Sequence, residues 1–134
     1  MRVKCISLLP NEQQTKQLGP YYFPGRQVFH DLVLDKEYVV FGLRILAGMP
    51  WIDLLSKDED YLFPAPLCLF VIVDGRVSRY WEARMKSGAL FLWPTSFYRE
   101  YYHEDLFEGV QEAVEDFERV RALIEAEASM DLSE

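Results

Sequence analysis

The chain has 134 residues, 50% of them hydrophobic and 15% aromatic, and carries a formal net charge of −8. This length and composition are those of one folded domain whose core needs neither disulfides nor metals, and they exclude an intrinsically disordered chain. No apolar run reaches the roughly 20 residues that span a bilayer, and the N-terminus lacks a secretory signal. We therefore expect a cytoplasmic protein with a single compact domain over residues 1–128 and a frayed tail over residues 129–134.

The charge is unevenly distributed along the chain. Residues 1–103 carry 12 Lys/Arg and 11 Asp/Glu, whereas residues 104–134 carry 2 Lys/Arg and 11 Asp/Glu. An acidic C-terminal region repels polyanions such as DNA and attracts basic proteins. We therefore expect a basic protein partner, with no role for nucleic acid or a membrane. The same charges also suit the solvated outer face of a helix, which is the simpler alternative.

The first elements are predicted from capping and turn residues. Arg2–Leu9 has the apolar content of a strand, closed by Pro10. EQQTKQL fits a short helix, with Asn11 as its N-cap and Gly19 as its C-cap. The segment PYYFPG is predicted to be an ordered loop, and Gln27–Leu34 a short irregular extended stretch.

From residue 37 to residue 93 the pattern is that of β-strands. EYVVFGLRIL, with Gly42 as a bulge, is followed by WIDLL, YLF, CLFVIV and GALFLW, all rich in β-branched and aromatic residues. Turn or breaker residues separate them at Gly48-Met49-Pro50, SKDED and PAP. We expect an α+β fold: a strongly bent antiparallel sheet of about five strands, closed as in an SH3-like barrel or nearly so, with a C-terminal amphipathic helix.

Asp74-Gly75 predicts a hairpin in the middle of this sheet. Asp-Gly is a favoured pair for a two-residue type I′ turn, because both central residues need positive φ. The turn would pair CLFVIV with the residues that follow it, so that Phe70 faces Arg79 and Cys68 faces Trp81. Because both faces of this hairpin are largely apolar, we expect it to be mostly core.

The last third of the chain is predicted to be helical. Thr95 or Ser96 would cap a short helix through FYREYY, Asp105 with Glu108 resembles a capping box, and Gly109 interrupts the chain. A longer helix follows in VQEAVEDFERVRALIEAEA, whose apolar residues have the spacing of one helical stripe: Val110, Ala113, Val114, Phe117, Val120 and Leu123 or Ile124.

The sequence predicts no catalytic residue, no metal ligand and no cofactor. Cys5 and Cys68 lie in strand-like apolar runs far from either histidine, and we expect both to be buried free thiols. The acidic run at 58–60 lacks the glycine and later glutamate of a calcium loop. The motifs GxSxG, HExxH, GxGxxG and the Walker loop do not occur, which disfavours an enzyme of these classes.

Three groups of residues are candidates for a binding surface. Tryptophan and arginine often carry binding energy, tyrosines spaced three and four apart share a helix face, and acidic residues on the last helix would face a basic partner. For each group a structural role in packing or solvation is the alternative. The candidates are Trp51, Arg79 and Trp81; Tyr98, Tyr101, Tyr102 and His103; and Glu112, Glu115 and Asp116.

The chain resembles a set of small bacterial proteins without assigned function at KEYVVFGL, PLCLFVIVDGRVSRYW and LFLWPTSFYREYYHEDLFEGV. The resemblance extends from Val3 to about Ala126 and implies a compact sheet or barrel followed by helices. Some similarly built small acidic proteins are immunity proteins encoded beside secreted toxins. This fold-level resemblance implies no functional residue.

We therefore expect a non-enzymatic protein-interaction module, of the kind that neutralises a basic toxin. The first alternative is an enzyme or small-molecule-binding protein that uses a pocket near Tyr101, Tyr102, His103 and Glu104. The second is a homodimer that buries Trp51 or Trp81 at a two-fold contact.

Overall fold

The computed structural model describes residues 1–23 and 29–130. Within them the strands are β1 (Arg2–Cys5), β2 (Glu37–Val39), β3 (Gly42–Leu46), β4 (Met49–Leu55), β5 (Leu62–Pro66), β6 (Phe70–Asp74), β7 (Trp81–Lys86) and β8 (Ala89–Pro94). The α-helices are α1 (Glu12–Leu18), α2 (Tyr102–Phe107) and α3 (Gln111–Ala128). Short 3₁₀ turns occupy Gly19–Tyr21, Leu67–Leu69 and Thr95–Tyr98.

The strands form two antiparallel sheets. One has three strands in the order β2–β1–β6, and the other has five in the order β5–β4–β3–β8–β7. The predicted α+β class with a C-terminal helix is confirmed. The five-stranded sheet ends at β5 and β7, which do not pair with each other, so the described strands are not closed into a barrel.

The segment predicted as one strand, EYVVFGLRIL, instead supplies a strand to each sheet. Val40 and Phe41 form the crossing point, and both are buried. The backbone N–H of Val40 donates to Met1, and that of Phe41 donates to Asp53, at 3.1 and 2.9 Å. Gly42, predicted as a bulge, is the first residue of β3. The predicted strand is interrupted here because neighbouring residues satisfy their backbone hydrogen bonds in different sheets.

The predicted hairpin at Asp74-Gly75 is wrong. Strand β6 pairs with β1 and β7 pairs with β8, so Phe70 lies opposite Cys5 rather than Arg79, and Cys68 does not face Trp81. The Asp74 carboxylate accepts hydrogen bonds from the backbone N–H of Arg76 at 3.1 Å and from its guanidinium at 2.9 Å. A side-chain turn of this kind replaces the expected backbone turn. These hydrogen bonds lower the pKa of Asp74 to about 2.

Contrary to the prediction, the prolines of PAP do not interrupt the β-structure. Pro64 and Pro66 lie inside β5, where they face Asp53 and Trp51 of β4. Strand β5 is an edge strand, and an edge position tolerates proline because one side of the backbone needs no partner.

The longer helices follow their sequence signals. Asn11 caps α1 and exchanges hydrogen bonds with Gln14 at 2.8 and 2.9 Å, which is a capping box. Gly109 has a φ of 75° at the break before α3. The buried residues of α3 are four of the predicted stripe together with Ala128, namely Ala113, Phe117, Val120 and Ile124, whereas Val114 of that stripe is half-buried and Val110 and Leu123 are exposed.

The predicted caps between residues 95 and 108 are wrong. No side chain caps the 3₁₀ turn that begins at Thr95, so neither Thr95 nor Ser96 acts as a cap. Asp105 lies inside α2, and the N-cap of that helix is Tyr101. Residues 24–28 of the predicted loop and extended stretch, and residues 131–134 of the predicted tail, lie outside the described residues.

The five-stranded sheet lies between two apolar layers. Its Leu43, Ile52 and Leu54 pack with Val3 and Phe70 of the three-stranded sheet. A second buried cluster joins the same sheet to the helices through Trp93, Phe97, Tyr102, Leu106, Phe117 and Ile124. The region from β8 into α2 and α3 is therefore where buried core meets the candidate residues.

Candidate functional site

The predicted tryptophan and arginine group does not form one surface. Trp51 is 2% exposed and packs with Leu18 and Tyr22, so it offers no surface to a partner. Trp81 is half-buried, and its indole N–H donates to the carbonyl of Phe41 at 3.0 Å. Arg79 is exposed, and Glu127 accepts a hydrogen bond from its backbone at 2.9 Å. Trp51 and Trp81 lie on β4 and β7, with β3 and β8 between them.

The predicted acidic residues of α3 bind partners within the fold. Glu112 pairs with Arg99 at 3.2 Å, and Glu115 accepts a hydrogen bond from Gln111 at 2.9 Å. Asp116 accepts hydrogen bonds from Tyr102 at 2.8 Å and from Arg119 at 3.0 Å. Burial opposes ionisation of Asp116, but side-chain hydrogen bonds outweigh it and lower the pKa of this carboxyl. Asp116 is therefore held within the fold, whereas Glu112, with its side chain 83% exposed, and the exposed Glu115 still present their charge to solvent.

The tyrosine group, in contrast, lines a single concavity. Tyr98 ends the 3₁₀ turn, Tyr101 precedes α2 and Tyr102 begins it, so the prediction that they share one helix face is wrong. They meet in a cavity of about 480 Å³, here called the tyrosine cavity, a volume in the range of small-ligand sites. Its lining is Arg44, Leu62, Pro64, Lys86, Trp93, Phe97, Tyr98, Arg99, Glu100, Tyr101, Tyr102, His103 and Glu104.

A buried polar network lies beneath the tyrosine cavity. Asp53, on β4, is fully buried, and its carboxylate accepts from the Arg44 guanidinium at 2.5 Å and from the Trp93 indole N–H at 2.7 Å. The guanidinium carbon of Arg44 lies 5.0 Å from the centre of the Trp93 ring. The cavity wall is therefore anchored by one charge pair and one neutral donor.

His103 is packed among aromatic rings on the wall of the cavity. Its ring centre lies 4.8 Å from that of Trp93 and 5.4 Å from that of Phe97. Its buried Nε2 has no hydrogen-bond partner among the residues that the structure describes. Burial lowers the pKa of His103, and nearby Arg44 lowers it further, although Asp53 and Glu104 oppose this. We therefore expect the imidazole to be neutral at pH 7.

Acidification is expected to destabilise the protein through His103. The unfolded chain takes up a proton at about pH 6.5, while the folded state resists it, so this stability is present above that pH and is lost as the pH falls below it into the mildly acidic range. Urea unfolding across this range should show a smaller pH dependence for His103→Gln. The exposed His30 supplies the control: His30→Gln should keep the slope of the parent protein.

The hydroxyls of two tyrosines are already committed to the fold. Tyr98 donates to a backbone carbonyl of β8, that of Phe91, at 3.0 Å, and burial raises its pKa. Tyr102 donates to Asp116 at 2.8 Å, and burial together with that carboxylate raises its pKa strongly. Neither hydroxyl is poised to act as an acid or base near neutral pH.

A second concavity lies between the helices and the β4–β5 turn. This acidic groove, of about 370 Å³, has Leu106, Phe107, Val114 and Phe117 as its apolar lining. Its charged lining consists of four acidic residues and one basic residue: Glu59, Asp60, Glu108, Glu118 and Arg121. The sequence pointed to acidic residues of the C-terminal region but not to their meeting with the run at 58–60.

Neither thiol nor metal chemistry is apparent in residues 1–23 and 29–130. Cys5 and Cys68 are free, the first buried and the second half-buried, and burial raises the pKa of both thiols. No group of three or more His, Cys, Asp or Glu side chains in these ranges is arranged to hold a metal ion. No helix in them has the length and apolarity required to cross a bilayer.

Comparisons with protein-family models, with curated proteins and with solved structures each find no match to this chain. The resemblance to small bacterial proteins and to immunity proteins therefore stays a prediction.

Sequence reasoning missed Arg44, Lys86 and Phe107 in the lining of the two concavities, and Asp53 in the network beneath the tyrosine cavity. Arg44 lies in the apolar strand GLRIL and Asp53 in the apolar strand WIDLL. Single charges of opposite sign in two neighbouring apolar strands are a signal of a buried ion pair, because a lone buried charge is too costly. Lys86 and Phe107 carried no comparable signal.

Proposed function

We propose that the protein is a non-enzymatic interaction module that binds a basic segment of another protein in the acidic groove. The observation that supports this most directly is the meeting of two acidic segments around one apolar floor. Glu59 and Asp60 come from the β4–β5 turn, and Glu108 and Glu118 come from the end of α2 and from α3.

The charges of the groove are only partly balanced within the chain. Arg121 is its one basic residue, and it is shared between Glu59 at 3.2 Å and Glu125 at 3.1 Å. The exposed Glu108 and Glu118 have no ion-pair partner in the described part of the chain. A partner's lysine or arginine would supply the missing positive charge, and complementary potentials accelerate association and select against acidic partners.

The floor of the groove supplies apolar contact. Phe107 is 66% exposed although its ring packs edge-on against Tyr61, with the ring centres 4.9 Å apart. An exposed aromatic residue inside a polar rim is typical of protein interfaces. Lysine and arginine fit such a site because their apolar stems can cover Phe107 while their charged ends reach the rim.

An immunity-type role is the specific form of this proposal. A protein that covers the basic surface of a toxin prevents that surface from reaching its own target. The support for this form is the fold-level resemblance together with the acidic groove.

Reversing two charges in the groove is expected to weaken binding of a basic peptide. The probe is a fluorescently labelled short peptide of alternating lysine and leucine, titrated by anisotropy at low and moderate salt. Glu108→Lys/Glu118→Lys should raise Kd by about tenfold or more, since each such factor corresponds to about 1.4 kcal/mol. Parent affinity should fall as salt increases.

The matched control carries the same change in net charge elsewhere. Glu12→Lys/Glu37→Lys alters exposed residues of α1 and β2 that do not line the groove. We expect this variant to bind within about twofold to threefold of the parent protein. Equal weakening by both double variants would mean that net charge alone attracts the peptide, and the groove would be rejected as the site.

A further inference from the structure

We propose that the tyrosine cavity binds a small zwitterion with an aromatic body, of the aromatic amino-acid class. In this assignment Tyr101 stacks on the aromatic body, Lys86 binds the carboxylate, and Glu100 with Glu104 binds the ammonium group. The site is separate from the acidic groove, and the sequence left it open as an alternative function.

The backbone of Tyr101 is strained. Its φ of 63° and ψ of 18° place it in the left-handed region, which disfavours a bulky side chain. The other non-glycine residues with positive φ in the described ranges are smaller or unbranched and belong to turns between elements: Asp35, Ala47, Glu59 and Ser87. Glycine or asparagine would suit the position of Tyr101 better.

The backbone of Tyr101 serves α2 as its N-cap, since its carbonyl accepts a hydrogen bond from the N–H of Asp105 at 2.8 Å, but its side chain does nothing to offset the strain. Tyr101 is 65% exposed. It makes no ring contact and no side-chain hydrogen bond with the described residues, whereas Tyr98 and Tyr102 make both. Residues with strained backbone conformations are concentrated at functional sites. An exposed aromatic ring at the wall of a cavity is suited to stacking against a ligand.

The lining offers charges of both signs that the fold has not used. Arg44 is paired with Asp53, and Arg99 with Glu112. Lys86, Glu100 and Glu104, all exposed, have no ion-pair partner in residues 1–23 and 29–130. A ligand with one carboxylate and one ammonium group matches this set, whereas a simple anion would meet the two glutamates without compensation.

Three related probes test the assignment by isothermal titration calorimetry. L-tryptophan carries both charged groups, tryptamine lacks the carboxylate, and indole-3-propionate lacks the ammonium group. We expect L-tryptophan to bind at least tenfold more tightly than either analogue. Equal affinity for all three, or no binding of any probe at millimolar concentration, would overturn the proposal.

Variants assign each charged contact. Lys86→Ala should remove the preference for L-tryptophan over tryptamine, and Glu100→Gln/Glu104→Gln should remove the preference over indole-3-propionate. The control Lys57→Ala changes an exposed lysine outside the cavity and should leave all three affinities unchanged. If Lys57→Ala acts like Lys86→Ala, the carboxylate is not bound where we place it.

Tyr101→Gly separates binding from folding. Because glycine relieves the left-handed strain, the midpoint of urea unfolding should be unchanged or higher, while the affinity for L-tryptophan falls at least fivefold. A lower midpoint would show that Tyr101 is there for stability. Unchanged affinity would show that its ring does not contact the ligand. Either result contradicts the proposal.

Discussion

Replacing Arg44 with methionine is expected to lower the free energy of unfolding by about 3–5 kcal/mol, the largest single effect that we predict. Asp53 has no solvent-exposed surface, and its only hydrogen-bond donors among the described side chains are Arg44 and Trp93. Methionine keeps the apolar stem but removes the positive charge, so a buried carboxylate is left with one neutral donor. The total stability of a typical protein is about 5–15 kcal/mol, so urea unfolding should show that Arg44→Met loses a large part of the free energy of unfolding.

A second substitution should recover most of that loss. In Arg44→Met/Asp53→Leu the remaining polar group is the indole N–H of Trp93, which lacks a partner but carries no charge. Replacing both members of a buried pair by apolar residues is often close to neutral, so the double variant should be more stable than Arg44→Met alone. If the losses of unfolding free energy caused by Arg44→Met and by Asp53→Leu alone simply add in the double variant, the ion pair is not what makes Arg44 necessary.

An exposed ion pair provides the control for this experiment. Lys16 and Glu12 lie 3.9 Å apart on α1, with side chains 78% and 90% exposed. Lys16→Met should change the free energy of unfolding by less than about 0.5 kcal/mol, because water screens such pairs. The difference between the free-energy losses of Arg44→Met and Lys16→Met then measures the effect of burial on an ion pair.

Local signals in the sequence were sufficient for the two longer helices. Asn11 and Gln14 cap α1 through neighbouring backbone groups, and the apolar spacing of α3 matches the residues that it buries. These features depend on residues no more than one or two helical turns apart, so they can be predicted directly from the local sequence.

The pairing of strands could not be predicted in the same way. Asp74-Gly75 has the composition of a hairpin turn, but β6 pairs with β1, near the start of the chain. The strand that follows residue 75 pairs with β8 instead. Partner choice depends on packing between distant segments, and the hydrogen bonds from Arg76 to Asp74 give the turn an alternative geometry.

Only one wall of the tyrosine cavity was predicted, because the other wall depends on packing between distant segments of the chain. Tyr101, Tyr102, His103 and Glu104 are consecutive, so the sequence could place them together. Their opposite wall comes from β3, β5, β7 and β8, and its residues were not predicted. The partners of two predicted acidic residues of α3 were not predicted either, because Arg99 and Tyr102 lie on other elements.

Gly42→Ala is expected to cost about 2–4 kcal/mol of unfolding free energy, since overpacking and a broken buried hydrogen bond act together. A Cβ at this position would lie 2.4 Å from Cδ1 of Trp93 and 2.9 Å from Oδ2 of Asp53. Both atoms belong to the buried network, so neither can move without lengthening the bond between Trp93 and Asp53. Urea unfolding and the tryptophan emission spectrum should both change.

Gly75→Ala is the matched control, because the nearest atom to its new Cβ is Cγ2 of Ile72 at an ordinary 3.5 Å. We expect a change within about 0.5 kcal/mol. Trp93→Phe should then lessen the effect of Gly42→Ala, because the smaller ring leaves room for the methyl group, giving a coupling energy of about 1 kcal/mol or more. Strict additivity, or equal stability of the two alanine variants, would mean that β3 shifts to accept the methyl group. The close approach of Gly42 would then not be what holds Trp93 against Asp53.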